Sequence, residues 1–167
     1  TSCLNLLDPS DPMYSPDPTD VDNVMISAMN TSGSFAVVES HIGRLHANGT
    51  VSVTFTGPVT AGNSYYIRIL HRNAIETWSK NPVLFLAVTN YDFTTASTQA
   101  YDDGSNIPMK LVDTNPVDRW AFFNGDLNGD GTIDGLDMTM EENDSNAGLF
   151  GYSASDLNGD GASDGLD

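Results

Sequence analysis

Asp126-Leu127-Asn128-Gly129-Asp130-Gly131-Thr132-Ile133-Asp134-Gly135-Leu136-Asp137 returns thirty residues later as Asp156-Leu157-Asn158-Gly159-Asp160-Gly161-Ala162-Ser163-Asp164-Gly165-Leu166-Asp167, with ten of twelve positions identical. Oxygen-bearing side chains stand at fixed places in both copies. A twelve-residue loop that offers oxygens from positions 1, 3, 5, 7, 9 and 12 can wrap calcium, a hard cation that takes six to eight oxygens at about 2.3–2.6 Å. In the first copy these are Asp126, Asn128, Asp130, the Thr132 carbonyl, Asp134 (directly or through water) and Asp137. In the second they are Asp156, Asn158, Asp160, the Ala162 carbonyl, Asp164 and Asp167. Gly131 and Gly161 occupy position 6, where the chain must turn sharply with positive φ. Magnesium, with its small octahedral shell, suits this flexible set less well. Two bound calcium ions are therefore expected. Without a cation the four aspartates of each loop repel one another, so folding of this region is expected to depend on calcium.

The charge of the chain points the same way. Twenty-three acidic and six basic side chains give a formal net charge of −17. Such a balance serves solubility by self-repulsion, or it supplies ligands for cations. Distribution decides: residues 126–167 carry eleven acidic side chains and no Lys or Arg, and eight of the eleven sit in the repeat. Nucleic acid is excluded as an expected partner, because phosphate binding needs clustered Lys and Arg. No apolar run approaches the ~20 residues of a membrane span, and no basic-then-apolar leader is present, so a soluble or already processed chain is expected. The lone cysteine, Cys3, permits no internal disulfide.

The elements that must position the loops read as β-structure. Residues 1–22 hold Asp8, Asp11, Asp17, Asp20 and Asp22 among Pro9, Pro12, Pro16 and Pro18, a density that forbids helix and implies an extended arm. Residues 23–124 read as a β-sandwich, with strands expected at 24–29, 35–45, 50–56, 64–70, 83–88, 91–94, 109–112 and 119–123. Val51, Val53 and Phe55 alternate, as do Tyr65, Ile67 and Ile69. Asn48-Gly49 predicts a two-residue hairpin turn. Residues 125–167 form the third region, with a short helix expected over 136–143 and Leu136, Met138 and Met140 as its packing residues. The second loop closes on Asp167, so either the natural chain continues or another molecule completes its shell.

A duplicated loop followed by a short helix, with Asp in place of the EF-hand Glu at position 12, resembles the dockerin repeats of bacterial extracellular assemblies. The resemblance runs upstream. Asn63-Ser64-Tyr65-Tyr66-Ile67-Arg68-Ile69-Leu70-His71-Arg72-Asn73-Ala74-Ile75-Glu76-Thr77-Trp78-Ser79, then Tyr91–Phe93 and Gln99–Tyr101, is similar to a motif of secreted proteins of the Bacteroidetes. It covers about residues 35–167, and the amino-terminal arm departs from it. The resemblance implies secretion and a calcium-binding, surface-associated module; it implies no activity.

Other clusters read more simply. His71, Arg72, Asn73, Glu76 and Trp78 are the densest polar and aromatic group, but no Gly-x-Ser-x-Gly elbow accompanies them, and a hydrogen-bonded corner at a strand end explains them. His41, His46 and His71 lack metal-ligand spacing. Glu141 and Glu142 would diverge on a helix, which argues against a glycosidase pair. Asp102-Asp103-Gly104-Ser105-Asn106 reads as a solvated turn before it reads as a further cation site.

The fold expected is thus mainly β: a β-sandwich followed by a small dockerin-like calcium-loop region with one short helix. The function expected is that of a secreted, non-enzymatic structural subunit, extracellular or on the cell surface, which self-associates into a filament or layer with calcium at its contacts. The alternative is a dockerin-like module that attaches to a cohesin-like partner. A carbohydrate-binding or enzymatic domain using Trp78 and Trp120 as stacking platforms ranks behind both.

Overall fold

The structure, a computed structural model, describes residues 17, 19–104 and 107–167. Most of the proposed amino-terminal arm, and Ser105 and Asn106 of the acidic turn, lie outside the described residues. Among the described residues the fold is mainly β, built of antiparallel sheets with one short α-helix.

Five strands make the principal sheet: β1 (Asp20–Met29), β2 (Val37–His46), β3 (Ser64–His71), β4 (Ala74–Trp78) and the two-residue β5 (Val83–Leu84). The order is β2-β1-β3-β4, with β5 also on β3. β1 is interior to the sheet and buries Val24, Ala28 and Met29, while Met25 is exposed; Val24 pairs with Gly43, and Ala28 with both Glu39 and Ile67. A second sheet joins β6 (Lys110–Asp113) to β7 (Arg119–Ala121). The helix, α1, spans Gly135–Ala147.

The core is small. Ala28, Tyr65 and Phe85 are buried together, with Val38, Phe55, Val59, Ile67 and Val83 packed around them. Phe55 and Phe85 come from outside the ladder, so irregular chain covers this face of the sheet. Residues 51–59 are fastened there in two ways. The Glu39 carboxylate accepts the amides of Thr56 (2.8 Å), Gly57 (3.0 Å) and Val59 (3.2 Å). Gly43 also leaves room for the segment, since a Cβ at that position would lie 2.5 Å from Val51 Cγ2 and 3.0 Å from Val53 Cγ1.

The strand expected at 50–56 joins no ladder, although Val51, Val53 and Phe55 do turn inward while Ser52 and Thr54 stay exposed. Period-2 alternation reports which side faces the core, not where the backbone bonds go. The Asn48-Gly49 turn has positive φ at Gly49 alone, and the Asn48 side chain instead accepts the Thr50 amide at 3.0 Å. Only Val83–Leu84 of 83–88 is strand. In place of a strand at 91–94, Phe93–Thr95 forms a 3₁₀ turn capped by Asp92, whose carboxylate accepts the Thr94 amide. β4 was not anticipated as a strand, because Glu76 and the neighbouring polar residues obscure its alternation. β1 begins at Asp20, so Asp20 and Asp22 belong to the sheet and not to an arm.

The helix is also longer than expected, and it packs differently. Leu136, Met138 and Met140 are exposed (63%, 65% and 39%), whereas the buried residue of α1 is Asp137. Asp134 caps the helix in a reciprocal box with Asp137, and Gly148 ends it in the left-handed conformation.

Candidate functional site

The two repeated segments fold alike, and the likeness extends to individual hydrogen bonds. The first carboxylate takes two amides on separate oxygens: Asp126 Oδ1 accepts from Asp130 N–H (3.1 Å) and Oδ2 from Gly131 N–H (3.0 Å). Asp156 does the same with Asp160 (3.1 Å) and Gly161 (3.1 Å). The side-chain oxygens of Asn128 and Asn158 accept from the amides of Asp130 and Asp160, whose carboxylates in turn accept from the amides of Thr132 and Ala162.

The twelfth residue closes each loop. Asp137 Oδ1 accepts from Leu127 N–H (2.8 Å) and Asn128 N–H (3.2 Å), and Oδ2 from Asp134 N–H (2.9 Å). Asp167 repeats this with Leu157 (2.8 Å), Asn158 (3.0 Å) and Asp164 (2.9 Å). Asp134 and Asp164 accept from Leu136 and Leu166. Gly129, Gly131, Gly159 and Gly161 all have positive φ, which lets successive amides point inward without Cβ conflict.

These amides hold carboxylates where water does not reach. Asp126, Asp137 and Asp156 are 4%, 3% and 0% exposed. The Asp134, Asn128 and Leu127 amides draw the Asp137 carboxyl below its ordinary pKa, with the Asp134 bond foremost, against the opposing effect of burial. Among the described residues no Lys, Arg or His lies within ion-pair distance of any of the eight loop aspartates. Nor, among those residues, do three or more acidic, imidazole or thiol groups stand together tightly enough to hold an ion. The donor set nonetheless fits calcium in kind: hard oxygens from carboxylates, an Asn side chain and a carbonyl, each carboxylate steadied by amides that leave lone pairs over.

The polar corner lies at the base of this region. Arg72 and Asn73 are the turn between β3 and β4. Asp22 is the hub: its Oδ2 meets His71 Nε2 (3.0 Å) and Arg72 Nε (3.1 Å), and its Oδ1 accepts from the Tyr152 hydroxyl (2.6 Å). The Arg72 guanidinium also lies 4.9 Å over the Tyr152 ring. From there Arg72 donates to the carbonyls of Ser153 and Asp156, and the Asn73 side-chain amide donates to those of Ala154 and Asp156. Burial would raise the Asp22 pKa; the His71, Tyr152 and Arg72 contacts outweigh it and hold the group at about 2.

A hydrogen-bonded corner was expected from His71, Arg72, Asn73, Glu76 and Trp78; one is present at 71–73, while Trp78 donates to Glu76, which also pairs with Arg68, away from it. Sequence reasoning missed the partners, Asp22 and Tyr152, which stand 50 and 130 residues from their contacts. No spacing rule reaches across such separations. Trp78 and Trp120, the stacking candidates, do not share a site: Trp78 packs edge-on with Phe35 and tilted on Tyr66, and Trp120 lies in β7 across from Leu111.

No protein-family model, no curated protein and no solved structure matches this chain.

Proposed function

We propose that the chain is a secreted, non-enzymatic calcium-binding structural subunit that associates with further copies of itself. One observation carries the calcium reading: two twelve-residue loops repeat the same carboxylate-to-amide bonds, with buried aspartates that, among the described residues, no basic side chain neutralises. Burying a carboxylate without a counter-charge is costly, and a divalent cation is the counter-charge these ligands suit. Asp126, Asn128, Asp130, Thr132, Asp134 and Asp137 would hold one ion, and Asp156, Asn158, Asp160, Ala162, Asp164 and Asp167 the other. Calcium supplies charge neutralisation there and no chemistry beyond it.

The fold reading is a β-sandwich in which the second layer is largely irregular chain over the principal sheet, followed by a dockerin-like region. It is supported by the core formed between the sheet and residues 55, 59 and 85. Association is supported by large apolar side chains left in water, among them Val88 (78%), Phe150 (77%) and Leu166 (80%), on a chain so acidic that its copies repel until cations bind. Among the described residues no helix is long and apolar enough to cross a membrane.

A second reading draws on α1. Its exposed Leu136, Met138 and Met140 favour a dockerin-like module that docks a cohesin-like receptor.

Calorimetric titration after chelation tests the ion sites. Two calcium ions are expected, one of them lost in Asp126→Ala and the other in Asp156→Ala; absence of both heat and a circular-dichroism change overturns the calcium reading. Electron microscopy and sizing with and without chelator test association. Polymers that disperse on chelation are expected, and a calcium-loaded monomer at high concentration overturns the subunit reading.

A further inference from the structure

The two-residue turn between β3 and β4 touches both loops at their entrances. On one side the Asn73 carbonyl accepts the amide of Gly125, the residue before Asp126, at 2.6 Å. Ala74 and Ile75 continue that contact, Ala74 in an antiparallel bridge with Asn124 and Ile75 donating to the Phe123 carbonyl at 2.9 Å. On the other side the Asn73 side-chain amide donates to the carbonyls of Ala154 (3.2 Å) and Asp156 (3.4 Å). Arg72 donates to the same Asp156 carbonyl at 3.0 Å. Asn73 is 3% exposed, so water does not substitute for these partners. One asparagine thus holds the first loop with its main chain and the second with its side chain. Among the described residues no hydrogen bond runs directly from 126–137 to 156–167.

We propose that the Arg72–Asn73 turn is a clasp that couples the two loops, so that filling one tightens calcium binding in the other. The proposal rests on the calcium reading above. An ion captured by the Asp126 loop orders its entrance at Gly125, and that ordering fixes Asn73. The donors for the Ala154 and Asp156 carbonyls are then already in place, so the second ion has less chain to order on binding. Arg72 and Asn73 touch no ion in this scheme; they are positioning residues.

A second route between the loops exists through α1, which begins inside the first loop. Near its far end Asp144 accepts from the Ser155 hydroxyl, and the Leu149 carbonyl accepts from Ser163 N–H. The test must separate the two routes.

Asp160→Asn disables the second loop, and calorimetry then reads calcium binding by the first. With the clasp intact, the Asp126 loop is expected to bind ~5-fold or more weakly in Asp160→Asn than in the unaltered protein. In an Asn73→Ala background, which keeps the main-chain bond to Gly125 but severs the Asn73 side-chain bonds to 154 and 156, the effect of Asp160→Asn is expected to shrink, and to vanish once Arg72→Ala also removes the bonds to the Ser153 and Asp156 carbonyls. Hydrogen exchange supplies a readout that a merely structural role would not move. In Asp130→Asn, where only the second loop fills, calcium is expected to slow exchange of the Gly125 amide, less so once Asn73→Ala is added and not at all once Arg72→Ala joins it. Arg72→Lys, which keeps the cation and loses the fork, carries the same comparison should Asn73→Ala not fold. Coupling of undiminished size in Asn73→Ala and in Arg72→Lys belongs to α1 and overturns the proposal, as does independent binding in the unaltered protein. A protein that binds no calcium in either loop overturns the reading beneath it instead.

Discussion

Asp22 shows how far a single carboxylate depends on residues remote in the chain. Read along the sequence it is one of five aspartates in a proline-rich stretch; folded, it joins β1 to the β3–β4 turn and to Tyr152. Its pKa lies at about 2, below the ordinary 3.8, so its contribution to stability is full above pH 4 and is lost as the pH falls through 2. The shift corresponds to about 2 kcal/mol, by the usual 1.36 kcal/mol per unit. Urea unfolding of the unaltered protein and of Asp22→Asn, both in chelator, is expected to show a stability gap at pH 6 that narrows by about that amount near pH 2. A gap independent of pH would mean that the Asn side chain loses packing and not charge. The repeated aspartates, by contrast, were legible from spacing alone, because each accepts amides from residues no more than ten positions away.

At the scale of elements, the segment 51–59 and helix α1 differ most from expectation, for different physical reasons. Val51, Val53 and Phe55 alternate like a strand, yet the segment lies on the sheet face over Gly43, held by Glu39. Gly43→Ala puts a methyl group within 2.5 Å of Val51 Cγ2, and the segment must move. Thermal or urea unfolding is expected to register a loss of roughly 1–3 kcal/mol, in the range for overpacking. Glu39→Gln leaves one acceptor oxygen where there were two, and exchange of the Thr56, Gly57 and Val59 amides is expected to quicken, with β1 unaffected. For α1, a short helix after the first loop was readable, but its end at Gly148 and its partner surface were not: the apolar residues point to water and an aspartate points inward. Asp134→Ala removes the cap that accepts the Leu136 amide at 2.8 Å. It is expected to cost about 1 kcal/mol in chelator, seen as a fall in helical circular dichroism on mild heating.

For the molecule as a whole, calcium and the principal sheet are expected to separate on chelation. The core around Ala28, Tyr65 and Phe85 contains no loop residue, so strand signal and burial of Tyr65 should survive chelator while α1 and the 153–163 contacts loosen. Loss of the whole fold in one step would place the loops inside the cooperative unit, a result the Arg72–Asn73 bonds make worth testing. The sequence by itself determined two things: a predominantly β chain, and two matched twelve-residue segments with oxygen-bearing side chains at the same places. Each depends on neighbours within about a dozen residues, where residue type and period decide the outcome. Only the tertiary structure decided that 51–59 covers the sheet without joining it, that Asp22 is a buried hub, and that one turn grips both loops. Those contacts join residues far apart in sequence through geometry that no local period encodes, and burial sets their strength.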